Sequence, residues 1–294
     1  MNGDEGMFAP NLRGRRRKGA LFAAICLVMT LLGLGVLAVL LVSVADLGAH
    51  RLSWGFLTRY PSRLAPESSG IKSAIWGTTW VIGLTGLTAV PLGIAAAIHL
   101  QEYAPRNRIT RFIELNIANL AGVPSIVYGI LGLAMFTRMM HLGRSVLAGA
   151  LTLALLVLPV IIIASREALA AVPDSFRYAA YALGATRWQT IWSHVLPPAL
   201  PGIMTGVILA LSRAIGEAAP LIMIGALTYI AFVPEGLRDD FTAMPIQIYN
   251  WVEEPEQVFR ELAAAGILVL LGMLFPLNAL AIGIRAWHQR RKTW

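Results

Sequence analysis

Six apolar runs punctuate the chain, at roughly 20–45, 73–99, 112–137, 145–165, 200–227 and 262–285. Each is long enough to cross the hydrocarbon core of a bilayer, which takes about 20 apolar residues, so each predicts a membrane-spanning helix. Several runs are interrupted. The second contains Pro91, and the third contains Gly122-Val123-Pro124-Ser125, with Asn116 and Asn119 just before it. A helix broken at membrane depth is tolerated where it lines a cavity or packs on protein. Asn119 and Ser125 are therefore candidates for lining a path, against the alternative of an ordinary proline kink. In the fifth run Gly202, Gly206, Ala210, Ala214 and Ala218 recur every fourth residue. Such a small-residue stripe admits a close helix neighbour, from this chain or from another subunit.

Between the fourth and fifth runs lies a polar stretch, 166–198, with helical rather than loop patterning. Asp174 can cap a short helix on which Phe176, Ala179, Ala180 and Leu183 share a face. Gly184 stops that helix in a left-handed conformation. Thr186 and Gln189 read as a capping box for a second helix, which carries Trp188, Ile191, Trp192 and Val195 and which Pro197-Pro198 would end. The pattern predicts a rigid helix, corner, helix with apolar faces. It suits either docking of another protein or burial among lipid headgroups.

Composition settles the broad class. The 294 residues are 57% hydrophobic and 14% charged, against about 25% charged in soluble domains. The net charge of +8 does not point to nucleic acid, because the basic residues flank the apolar runs. With the N-terminus inside, fifteen of the 24 lysines and arginines fall in inside segments, eight outside and one, Arg213, within a span. Both termini are thus expected in the cytoplasm. The chain divides into a basic N-terminus (1–19), a first helix (20–45), an extracytoplasmic loop (46–72), a five-helix core (73–285) and a basic tail (286–294). The core includes the polar stretch 166–198 and an acidic outer loop, 228–261. The uncharged first run is too long for a signal-peptide core and reads as an uncleaved helix. The single cysteine, Cys26, excludes an intrachain disulfide.

Arg213 and Glu217 are four apart in the fifth span. A charge at a helix centre costs roughly 2.5–3.5 kcal/mol on the insertion scale, so two require a reason. One is a local ion pair. The other is a fork of donors for an oxyanion in transit, with Glu217 restraining the guanidinium. No lysine follows a glycine, so a phosphate-cradling P-loop is excluded and any use of ATP is expected on a partner. The five scattered histidines offer no metal-ligand spacing, and there is no G-x-S-x-G. No enzymatic activity, cofactor or metal is expected in this chain.

Tyr178-Ala179-Ala180, three residues, Gly184, nine residues, then His194-Val195-Leu196-Pro197 resembles the EAA loop of ABC-type importer permeases. Tyr178 stands where that loop has glutamate, and His194 where it has isoleucine. PLGIAAAIHLQEYAP (91–105), LAGVPSIVYGILGLAMF (120–136) and YALGATRWQTIWSHVLPPALPGIMTGVILALSRAIGEAAPL (181–221) resemble the phosphate-specific permeases of such importers, the PstA family. The resemblance implies an all-α polytopic membrane protein of the bacterial inner membrane, with six transmembrane helices and the type I, MetI-like importer fold. It implies inorganic phosphate as cargo, with Arg213 and Glu217 along its path, to which the broken third span adds Asn119 and Ser125 as candidates. Tyr178, Ala179, Ala180, Gly184, Leu196 and Pro197 would form the ATPase-coupling loop. The partners implied are a homologous permease (PstC), two copies of an ATPase (PstB) holding ATP and magnesium, and an extracytoplasmic phosphate-binding protein (PstS), besides membrane lipid. Alternatives are a permease for molybdate or sulfate, a secondary transporter working alone, and a non-transporting membrane scaffold.

Overall fold

A computed structural model describes residues 12–226 and 229–290. The first eleven residues, position 228 of the acidic loop, and Arg291 and Lys292 of the tail lie outside the described residues. Among the described residues, five helices are long and apolar enough to cross a membrane, or six if one sharply bent pair is a single span. Among the described residues there is no strand, only an isolated bridge between Ser145 and Asp240.

The core is built from α3 (Lys72–Ile98), α6 (Val146–Ala170) and α9 (Leu196–Ile215). Ala89, Ala97, Val157, Ile161, Ile203, Val207 and Ala210 are buried between them. Small residues set the spacing. A Cβ at Gly93 would stand 2.6 Å from Ile161 Cγ2, and one at Gly206 2.4 Å from Ala164 Cβ. The small-residue stripe of α9 thus faces α6 of the same chain, with Gly202 against Ala168 and Gly206 against Ala164. Gly206→Val should push α6 and α9 apart and destabilise the fold by about 1–3 kcal/mol, the usual cost of overpacking. Gly83→Ala, where nothing lies within 4 Å, should be tolerated. Thermal unfolding of the solubilised chain separates the two.

α1 (Leu12–Gly48) stands apart. Its side chains from position 15 to 43 are exposed, and it meets α12 (Gln257–Arg290) at its last turn, where Gly48 abuts the backbone of Ala264 and Ala265. An apolar helix exposed all round belongs in lipid or against another membrane protein.

The third predicted span is not a straight helix. α4 (Arg108–Ala121) and α5 (Ser125–Gly132), which runs on through a π-helical segment to Met139, are bent by 101°. The fifth also departs from expectation at both ends. α8 (Arg187–Thr190) passes through a π turn, Ile191–Val195, straight into α9, so Pro197-Pro198 does not end a helix. The Leu196 N–H reaches back to Ile191 O, and the widened turn makes room for two prolines in the first turn of α9, where missing N–H groups are tolerated. The result is one rod, Arg187–Ile215. At its far end α9 stops at Gly216, and the short α10 (Ala219–Ile224) follows.

The acidic loop is not a featureless excursion. It holds α11 (Met244–Glu253), whose Met244, Ile248 and Trp251 are buried against α3, α12 and α2 (Trp54–Thr58). The segment before α11 covers the start of α6. There the N–H groups of Val146 and Leu147 donate to Asp239 O and Leu237 O, and Phe241 fills the space over Gly149. Orphan donors of a helix start are thereby satisfied by backbone carbonyls.

Candidate functional site

Two regions gather the residues of interest, one at each end of the rod 187–215. At one end lies 166–198. Its first helix, α7 (Asp174–Ala182), begins after Pro173 and has no side-chain cap. Asp174 is not the expected cap. It sits in the first turn, where a negative charge suits the helix dipole, and pairs with Arg177 at 3.2 Å. Gly184 has φ +82°, the Ala185 N–H donates to Ala180 O, and the Gly184 N–H donates to Tyr181 O. These two bonds make a Schellman corner. A Cβ at Gly184 would meet nothing within 4 Å, so it is the left-handed backbone, not crowding, that asks for glycine. Thr186 and Gln189 form the reciprocal capping box.

The faces divide more sharply than periodicity suggests. Ala180, Ile191 and Val195 are buried, while Phe176, Tyr178, Tyr181, Leu183, Trp188 and Trp192 are exposed. The Trp188 and Trp192 rings stack with centroids 5.7 Å apart. Tyr178 is 70% exposed, Ala179, Gly184 and Pro197 lie on the outer surface and Leu196 is half-buried. This is a rigid, aromatic-rich surface of the kind that anchors protein contacts.

What holds that surface is Arg177, by sequence only one basic residue among those of the inside segments. Arg177 Nη2 and Nε donate to Glu102 Oε1 and Oε2 at 2.6 and 3.2 Å. Its nitrogens also donate to Leu169 O at 3.0 Å and Val172 O at 2.8 Å. Glu102 lies in the π turn that ends the second span, His99–Tyr103. The Glu102 hydrogen bonds hold the guanidinium above the ordinary arginine range, burial opposing them in part. The only sequence signal was an acidic residue at the same end of its span as Arg177.

At the rod's other end, Arg213 and Glu217 do not share one helix face as expected, because α9 ends between them. Arg213 is in its last turn, and Glu217 lies in the break before α10. They still meet, Nε to Oε1 at 3.4 Å, with side chains 59% and 18% exposed. So long a contact at an exposed arginine leaves the guanidinium largely free. Asn119 is exposed in the last turn of α4, and Ser125 opens α5. The two breaks are neighbours. A Cβ at Gly129 of α5 would lie 2.7 Å from Pro220 Cα of α10. Ala121 shares a crevice of about 10 Å³ with Arg213, Leu156 and Val157. Such a crevice holds about one water, so an oxyanion would have to be received on the open surface beside Arg213. Tyr128 OH donates to Leu120 O at 2.8 Å, a carbonyl that also accepts the Val123 N–H at 3.1 Å, so the break is tied to α5.

Residues 89–294 match the family described as the inner membrane component of binding-protein-dependent transport systems. The probable ABC transporter permease protein YqgI of Bacillus subtilis is 38% identical over 181 residues, 62% of this chain and 61% of that protein. The match therefore spans about three fifths of that relative. The phosphate transport system permease protein PstA 1 of Mycobacterium tuberculosis is 34% identical over 241 residues, 81% of this chain and 78% of that protein. Among solved structures, a chain of a bacterial alginate ABC transporter in complex with an alginate pentasaccharide-bound periplasmic protein superposes with a TM-score of 0.63, covering 97% of this chain and 98% of that one at 15% identity. The fold is thus the all-α polytopic importer fold expected from the sequence.

Proposed function

The chain belongs to the family of binding-protein-dependent transport system inner membrane components, and from that premise we propose that it is the permease subunit of an ATP-driven importer of inorganic phosphate. The observation that carries the cargo is the likeness to PstA 1 over four fifths of the chain. Arg213, exposed beside two neighbouring helix breaks, supports it as a fork of donors matched to an oxyanion. Because the crevice beside Arg213 takes only about one water, a second, homologous permease would supply the opposite wall of the path. A pair of ATPase subunits with ATP and magnesium would dock on 166–198, and a phosphate-binding protein would deliver cargo at the other end. Both termini would lie in the cytoplasm of the bacterial cell.

In this mechanism the coupling loop and the cargo site are two ends of one lever. The rod of 29 residues, Arg187–Ile215, spans about 43 Å at 1.5 Å per residue. Docked ATPase subunits that close and open would tilt the Schellman corner, and the rod would carry the tilt to Arg213. The test is uptake of labelled phosphate by cells whose only copy of this permease is the one supplied. Uptake should resist excess sulfate and molybdate; competition by either at phosphate-like concentrations would overturn the cargo assignment. A further expectation concerns the corner. Gly184→Val forces a β-branched residue to φ +82° and should release the ATPase on purification, whereas Gly184→Asn, which tolerates that conformation, should retain most of it. Co-purification of Gly184→Val at wild-type yield would count against the docking surface.

A further inference from the structure

A second cationic site lies at the coupling-loop end, away from Arg213. A groove of about 630 Å³ opens between the second span's end, the start of α4 and α6, lined by Gln101, Arg106, Arg108, Arg111, Glu114 and Arg166 among others. Its charge is poorly compensated. Arg166 pairs with Glu114 at 3.0 Å, but among the described residues Arg106, Arg108 and Arg111 have no acidic partner within 4.0 Å. Arg166 Nε, shielded from solvent, has no acceptor. The N-terminus of α4, capped by Asn107, adds the positive end of a helix dipole to the same wall. Unpaired guanidiniums around a concavity at a helix start ask for a phosphate-like anion.

What lies next to the groove says which anion. Ile109, Ile113 and Leu120 of α4 are exposed and share one helix face, which begins next to Arg108 of the groove. A positively charged level thus passes within one helical turn into apolar surface. A free anion gains nothing from that surface, whereas a phospholipid fills both levels, headgroup in the groove and acyl chains along α4. We propose that the groove binds the phosphate of an anionic phospholipid headgroup and anchors the α3–α4 corner to the membrane surface. This holds whatever ion the protein transports.

Native mass spectrometry of the purified full chain in detergent tests it, with phosphatidylglycerol or phosphatidylcholine of equal chain length as probe. Phosphatidylglycerol should bind at least tenfold more tightly than phosphatidylcholine. The double variant Arg108→Gln/Arg111→Gln should lose that preference, while Arg238→Gln, on a distant exposed loop, should keep it. Both altered residues are exposed, so the fold should survive, and equal unfolding temperatures would confirm it. The single variants should each give a smaller shift in the same direction. Equal binding of the two lipids would overturn the proposal, as would undiminished phosphatidylglycerol binding by the double variant. So would displacement of the lipid by millimolar inorganic phosphate but not by chloride at matched ionic strength, since that would make the groove a site for the free ion.

Discussion

Phosphate uptake is expected to fall about 100-fold or more when Arg213 is replaced by glutamine, with the transporter still assembled. Hydrogen bonds to a charged group contribute about 1.5–3 kcal/mol each, and 1.4 kcal/mol is a factor of ten. Loss of a two-pronged donor therefore corresponds to two or more orders of magnitude. Assembly should be spared because the Arg213 side chain is 59% exposed and its one ion-pair contact is 3.4 Å long. Arg213→Lys should recover part of the uptake, since it keeps the charge but not the planar fork. Labelled-phosphate uptake, paired with co-purification of the partner subunits, makes the comparison. Wild-type uptake by Arg213→Gln would remove Arg213 from the path. Loss of uptake together with loss of assembly would instead make it a structural residue.

The architecture was legible where physics is local. Apolar runs long enough to span lipid, a glycine placed for a helix corner and a Thr-x-x-Gln capping box each depend on a few neighbouring residues, and each has its counterpart in the structure. Expectations failed where a local rule met a longer-range adjustment. Pro197-Pro198 should stop a helix, but the π turn Ile191–Val195 gives the prolines room and joins coupling loop to span. Gly122-Val123-Pro124 announced a break but not a 101° bend, which depends on α5 packing against α10. The buried helix inside the acidic loop was masked by the charges at its end, Glu253 in its last turn and Glu254 just beyond it. For the candidate site, sequence placed Arg213 and Glu217 in a span but not at its end. Nothing in residue spacing reveals that Glu102 and Arg177, 75 positions apart, form one ion pair.

That pair carries the second large effect. Arg177→Met is expected to uncouple the transporter, with ATP hydrolysis continuing while uptake collapses. Among the described residues, every side-chain hydrogen bond from α7 to another element runs through Arg177. Its removal leaves Glu102, 7% exposed, as a nearly buried unpaired charge and strips donors from Leu169 O and Val172 O. Removing one partner of a buried pair costs about 3–5 kcal/mol, enough to loosen α7 from the span ends. The exposed aromatic surface would still hold the ATPase, but its motion would no longer reach the rod at Arg187. Arg177→Lys should not rescue, because a single ammonium cannot reach Glu102 and both carbonyls together. Removing both charges, Glu102→Leu with Arg177→Met, should destabilise less than Arg177→Met alone, since no buried charge is then stranded. Hydrogen exchange of residues 172–184 reads the loosening, and the ratio of phosphate imported to ATP hydrolysed reads the uncoupling. A wild-type ratio in Arg177→Met would show that the coupling surface needs no anchor at the end of the second span.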